Sequence, residues 1–170
     1  FFGEEDKSLI SFLLTNNDYE KETREVIEDL VLPGHTFIDL GANIGYFSLI
    51  AAKLVGNKGR VFSFEPTPST LNFLSKNISK NGFSNIVTIE EYAISNISGR
   101  VNFTLNQGSE CNSISTNQNA SNTISAEAIT LDQYFMKKKD KRIDFIKIDI
   151  EGQELAALQG LEGLNKLNKD

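Results

Sequence analysis

Thr36-Phe37-Ile38-Asp39-Leu40-Gly41-Ala42-Asn43-Ile44-Gly45-Tyr46-Phe47 is the stretch on which the reading of this chain turns. Residues 36–40 form a short apolar run broken by Asp39, the pattern of a strand buried on both faces of a parallel sheet. Gly41 and Gly45 bracket a turn, and residues 46–55 then space apolar side chains as a helix does. Strand, glycine-bearing loop and helix in this order put the loop at the carboxyl edge of an open sheet, where such sheets take ligands. Gly41 can turn with no side chain between backbone and ligand, and Gly45 can let the helix start close to the strand.

The rhythm extends both ways. Upstream, residues 6–14 and 21–32 carry apolar residues at helical spacing and stop at Pro33-Gly34. Downstream, Gly59 precedes a second strand over residues 60–64. Thr67-Pro68 then opens a helix over 69–80 that stops at Asn81-Gly82, and residues 86–90 make a third strand. Between residues 95 and 133 the helical pattern lapses, and β-like pieces at 100–105 and 123–130 flank a polar stretch rich in Asn and Ser. A helix over 131–136, a strand over 143–148 and a helix from 153 to about 164 follow. The expectation is an α/β protein, one domain over residues 1–170. It divides into a leading helical segment (1–35), a βαβαβ core (36–94), a β insertion (95–130), and a fourth core strand with its helix (131–170).

Composition narrows the function classes. A chain of 170 residues, 39% hydrophobic, is long enough to bury a core. A formal net charge of −6 argues against a nucleic-acid partner, because phosphate neutralisation needs a basic face. One cysteine, Cys111, cannot close an intrachain disulfide, and no Cys/His cluster offers a zinc site, so a reducing cytoplasm is the expected setting and no metal is assigned. No apolar run approaches the roughly 20 residues of a membrane span, so no membrane partner is expected. The opening residues are acidic where a signal peptide is basic. A start at Phe1 and a stop straight after a helical pattern suggest that both ends continue.

Three places carry candidate chemistry. Asn43 stands where the dinucleotide fingerprint G-x-G-x-x-G has its second glycine, which counts against a nicotinamide cofactor. Asp39 at the strand end suits a cationic amino group better than a diphosphate. Glu65, ending the second strand, is placed to accept from the hydroxyl pair of a ribose, the competing reading being a solvated strand-end carboxylate. After the third strand, Glu91, Tyr92 and Ala93 lie at the same edge, and Ala93 is chosen to meet an adenine. Asp149, Glu151 and Glu154 gather at a strand-to-helix turn, where carboxylates can hold acceptor hydroxyls, ligate a divalent cation or accept a proton. Glu154 reads equally well as a helix N-terminal acid. Asp149 is the first candidate for the catalytic group, with Glu151 beside it. His35 precedes the first strand, at the end opposite this edge. Cys111 has no histidine near it in sequence, and Lys137-Lys138-Lys139 with Lys141 and Arg142 reads as a solvated turn.

Taken together and in this order, Phe37 to Phe47, Phe64-Glu65-Pro66, Ile129-Thr130-Leu131-Asp132 and Ile146-Lys147-Ile148-Asp149-Ile150-Glu151-Gly152-Gln153-Glu154 resemble the FkbM family of methyltransferases. The resemblance implies a Rossmann-like class I methyltransferase sheet with helices on both faces. It also implies S-adenosylmethionine as methyl donor and a small-molecule or glycan hydroxyl, of a sugar or natural product, as acceptor. By position it makes Asp39, Gly41, Asn43 and Gly45 the methionine-side loop and Glu65 the ribose ligand. Such domains continue with further strands, so the sheet is expected to lack its C-terminal strands here. Asp149 is then expected to orient or deprotonate the acceptor hydroxyl. The rival readings are a nicotinamide-dependent oxidoreductase on a similar sheet and a non-catalytic cofactor-binding module.

Overall fold

The computed structural model describes residues 19–104, 113–114, 123–136, 138 and 142–163. Its centre is β1 (Thr36–Leu40), every residue of which is buried. β1 pairs in parallel with β2 (Arg60–Phe64) on one side and with β8 (Phe145–Ile148) on the other, and β3 (Val87–Glu90) lies outside β2. The sheet order is β3-β2-β1-β8. The chain therefore steps outward from β1 to β3 and later returns to the far side of β1, which puts a topological switch point between β1 and β8.

Alternation along the strands feeds two cores. Phe37, Val61 and Val87 point to one face, where they meet Ile27 of α1 (Lys21–Leu30), Ala51, Ala52 and Val55 of α2 (Tyr46–Val55), and Leu74 and Ile78 of α3 (Pro68–Lys80). Ile38, Leu40, Phe62 and Phe64 point to the other, against Leu131, Tyr134 and Phe135 of α4 (Leu131–Met136) and Ala157 of α5 (Glu154–Gln159). A strand covered on both faces is apolar on both, which is why Thr36–Leu40 shows no regular polar alternation, with Asp39 as the buried exception. Helices thus lie on both faces of the sheet.

A second sheet is also four-stranded. β5 (Gly99–Thr104) runs antiparallel to β7 (Thr123–Ile129) and to β6 (Ser113–Ile114), while β4 (Ala93–Ile94) joins β7 in parallel. Ala93 and Ile94 therefore pair with the second sheet, while Ile94 is also buried in the core that holds Leu40 and Phe64. Some boundaries move for local reasons. Thr130 leaves the strand because its hydroxyl accepts the Gln133 N–H at 3.0 Å, capping α4. Strand β8 begins at Phe145, since Asp144 instead accepts the Thr36 N–H at 2.8 Å and pairs with Arg142 at 2.7 Å. The expected helical piece at residues 6–14, Cys111, Lys137, Lys139, Lys141 and most of the stretch 106–122 lie outside the described residues. No helix of the described residues is long and apolar enough to cross a membrane.

The two-core arrangement predicts where truncation is costly. Leu74→Ala, at a fully buried site between α3 and the sheet, is expected to lower unfolding free energy by about 2–5 kcal/mol. Leu30→Ala, on the exposed face of α1, should stay within about 0.5 kcal/mol in the same urea titration.

Candidate active site at the carboxyl edge

The loop after β1 is shaped by contacts that exclude side chains. Gly41 has φ +75°, and a Cβ there would sit 1.9 Å from the Asp149 carbonyl oxygen. The loops following β1 and β8 are therefore in backbone contact across the switch point. Gly41 and Ala42 both donate N–H to the Phe64 carbonyl at 3.0 Å, which ties the same loop to the end of β2. Gly45, at φ +93°, opens α2, and a Cβ there would lie 2.7 Å from Leu74 Cδ1. It lets α2 start hard against α3.

Under this loop Asp39 is fully buried. Its Oδ2 accepts the Ser48 hydroxyl at 2.6 Å, and Ser48 Oγ lies 2.8 Å from Ser63 Oγ. Since the Ser48 proton goes to Asp39, Ser63 donates to Ser48. Oδ1 of Asp39 accepts no hydrogen bond among the described residues but lies 3.6 Å from Lys147 Nζ. Asp39 is in register with both Ser63 and Lys147, so the network follows directly from strand pairing. Lys147 Nζ also reaches Asp149 Oδ2 at 3.3 Å and sits 5.0 Å from the centre of the Phe47 ring. Burial works to lower the lysine pKa, but Asp39 and Asp149 outweigh it and hold the group above its ordinary value, firmly charged.

Glu65 is buried at 7% exposure, yet both of its oxygens are engaged by backbone. Oε2 accepts the Asn43 N–H at 3.0 Å and Oε1 accepts the Thr67 N–H at 2.9 Å. Burial pushes its carboxyl above the ordinary glutamate range, an effect that the hydrogen bonds from Thr67 and Asn43 partly offset and the Asp39 charge reinforces. Asn43 takes a left-handed φ of +49°, and its buried Oδ1 meets no donor among the described residues. An orphaned buried acceptor at a cavity marks a place for a ligand donor.

One cavity gathers these groups. Gly41, Asn43, Glu65, Ala93, Asp149 and Glu151 line it, in company with Tyr92, Tyr46, Phe47 and Lys147. Asp39 and Gly45 do not line it: Asp39 lies beneath the loop, where it holds Ser48 and Lys147, and Gly45 packs on Leu74. Glu154, in the first turn of α5, turns back on the preceding loop, accepting N–H groups of Gly152 at 3.0 Å and Ile150 at 3.3 Å. His35 sits at the other end of β1, its Nδ1 accepting the Leu32 N–H at 3.1 Å. Among the described residues no three His, Cys, Asp or Glu side chains come together as a metal site.

Sequence reasoning passed over Lys147. The signal was present as a single lysine inside the apolar run Phe145-Ile146-Lys147-Ile148, but only strand register shows that it faces Asp39. Backbone crowding at Gly41 gives a direct test. Gly82→Ala, at φ +77° with nothing within 4 Å, carries only the left-handed penalty of about 1–2 kcal/mol. Gly41→Ala must in addition displace the Asp149 backbone, so urea unfolding is expected to show a clearly larger loss for it.

Residues 39–169 match the methyltransferase FkbM domain. The chain is 28% identical over 123 residues to the hexuronic acid methyltransferase AglP of Haloferax volcanii, covering 72% of this chain and 48% of that protein. It is 27% identical over 163 residues to the methyltransferase sdnD of Sordaria araneosa, covering 77% and 62%. A SAM-dependent O-methyltransferase structure from Thermotoga maritima aligns with a TM-score of 0.41 at 28% identity, over 49% of this chain and 34% of that one. The chain thus spans less than two thirds of the length of either of these curated relatives. With residues 39–169 of 170 inside the match, and the glycine loop, Glu65 and Asp149 meeting at one carboxyl edge, the chain belongs to the FkbM methyltransferase domain family, whose cofactor is S-adenosylmethionine.

Proposed function

We propose that this chain binds S-adenosylmethionine in the cavity at the ends of β1, β2 and β8 and transfers its methyl group to a hydroxyl of a small molecule or glycan. The observation that carries this is Glu65: a buried carboxylate, fixed by two backbone N–H groups, on the wall of a cavity at the sheet's carboxyl edge. A carboxylate has about four lone-pair sites. The N–H groups of Asn43 and Thr67 and the Thr67 side chain use part of that capacity, and what remains can accept from a ribose. The orphaned Asn43 Oδ1 suits the ammonium of the methionine end, and Tyr92, Ala93 and Ile94 offer a largely apolar bed for the adenine. The residues present fit the cofactor.

Bound there, S-adenosylmethionine supplies an electrophilic methyl group on a sulfonium. The protein's share is alignment and removal of one proton. Asp149, half exposed and held by Lys147 at 3.3 Å, stands at the cavity edge to accept the proton of an acceptor hydroxyl. Glu151, on the adjoining turn, lines the same cavity and serves to orient acceptor hydroxyls. Similarity to a protein named as a hexuronic acid methyltransferase supports a sugar acceptor. A single cysteine suits a reducing compartment, the cytoplasm. An oxidoreductase reading is disfavoured by Asn43, whose side chain and left-handed backbone occupy the position where a pyrophosphate would need glycine.

Two outcomes test this. Calorimetric titration of S-adenosylhomocysteine at pH 8 is expected to weaken about 10-fold or more in Glu65→Ala, the loss of charge-assisted hydrogen bonds to a diol; an unchanged affinity would remove Glu65 from the site. Because ligand hydroxyls donate to the ionised form, binding favours the carboxylate, and burial raises the pH at which Glu65 takes up a proton. Affinity should therefore hold steady in mild alkali and fall as pH drops through that raised value, above the range of an ordinary glutamate, while Glu65→Gln should be flat over the same interval.

A further inference from the structure

We propose that the Asp39–Lys147–Asp149 cluster makes the cavity discriminate between the cationic methyl donor and its neutral product. This rests on the cofactor reading above. Across the sheet the strand ends follow the order β3, β2, β1, β8, so the cavity wall runs from Tyr92 through Glu65 and Gly41 to Asp149. With the ribose at Glu65 and the adenine on the Tyr92 side, the methionine half and its sulfonium extend toward the ends of β1 and β8. Lys147 waits there, its side chain 9% exposed, with Nζ 3.6 Å from Asp39 Oδ1 and 3.3 Å from Asp149 Oδ2. One ammonium between two carboxylates leaves a formal negative charge at that end.

Lys147 is the one cation lining the cavity among the described residues, whereas Glu65, Asp149 and Glu151 all line it. The lysine neutralises the buried Asp39, which without it would be a carboxylate in an apolar interior. The net negative charge left over is shared by the two carboxylates that flank Lys147, and of these only the half-exposed Asp149 lines the cavity. A sulfonium gains from that charge in a partly desolvated cavity, and a thioether does not. The cluster thus favours entry of the donor and release of the product. S-adenosylmethionine and S-adenosylhomocysteine differ by the methyl group and its positive charge, so the ratio of their dissociation constants isolates the effect from the rest of the binding site.

The experiment is calorimetric titration of both compounds into the unmodified protein and into Asp149→Asn, Asp149→Lys and Lys147→Arg. Position 149 is half exposed, so its variants are expected to fold. The constant for S-adenosylhomocysteine divided by that for S-adenosylmethionine should fall by about 3- to 10-fold for each unit of charge removed, first in Asp149→Asn and again in Asp149→Lys. Lys147→Arg, which keeps a cation between the same carboxylates, should hold the original ratio. A merely structural disturbance weakens both compounds together and leaves the ratio alone. An unchanged ratio in both Asp149 variants, with both compounds still bound, overturns the inference while sparing the cofactor site. Failure of the unmodified protein to bind either compound overturns the cofactor reading itself.

Discussion

Asp39 is an ionisable side chain with no access to water, and the carboxyl edge of the sheet is organised around keeping it satisfied. Burying a lone carboxylate is among the most costly things a fold can do. Here the charge is met by Ser48 from α2 and by Lys147 from β8, with Ser63 of β2 completing the set through Ser48. Those contacts link three neighbouring strands to the helix that follows the glycine loop. They fix the height at which β1, β2 and β8 end, and hence where the loops above them can meet.

Above that network the loops are placed by backbone rather than by side chains. Gly41 touches the Asp149 carbonyl, its N–H goes to Phe64, and Asn43 gives its N–H to Glu65. Loops held this way present a cavity that is formed before a ligand arrives, so less ordering has to be offset by binding. On the proposed reading, the same hydrogen bonds that freeze Glu65 leave its remaining lone pairs aimed at a diol. Lys147 joins the two levels, one partner below the loop and one at the cavity edge.

The core strands and most helices were legible in the sequence because each has its own local signal. Thr36–Leu40 is an apolar run broken only by Asp39, Thr67-Pro68 starts a helix, and Asn81-Gly82 stops it. The cavity wall was legible too, since residues after successive parallel strands must share one edge. Pairing between distant segments was not: nothing local to Ala93-Ile94 says that it will hydrogen-bond to β7. The same limit hid the orientation of Asp39. In a strand buried on both faces, alternation carries no polar signal, so nothing local says that this side chain lies beneath the loop and takes the Ser48 hydroxyl. Lys147 was missed because its importance depends on a register with β1 that only the folded sheet supplies.

The central claim is that Glu65 is the ribose anchor of a cofactor cavity at the switch point. A crystal structure of the protein with S-adenosylhomocysteine addresses it most directly. The account predicts both ribose hydroxyls within about 2.5–3.0 Å of the Glu65 oxygens, with the methionine half running over Gly41 and Asn43 toward Lys147. A ligand seated elsewhere, or one lying in this cavity with its ribose turned away from Glu65, would contradict it.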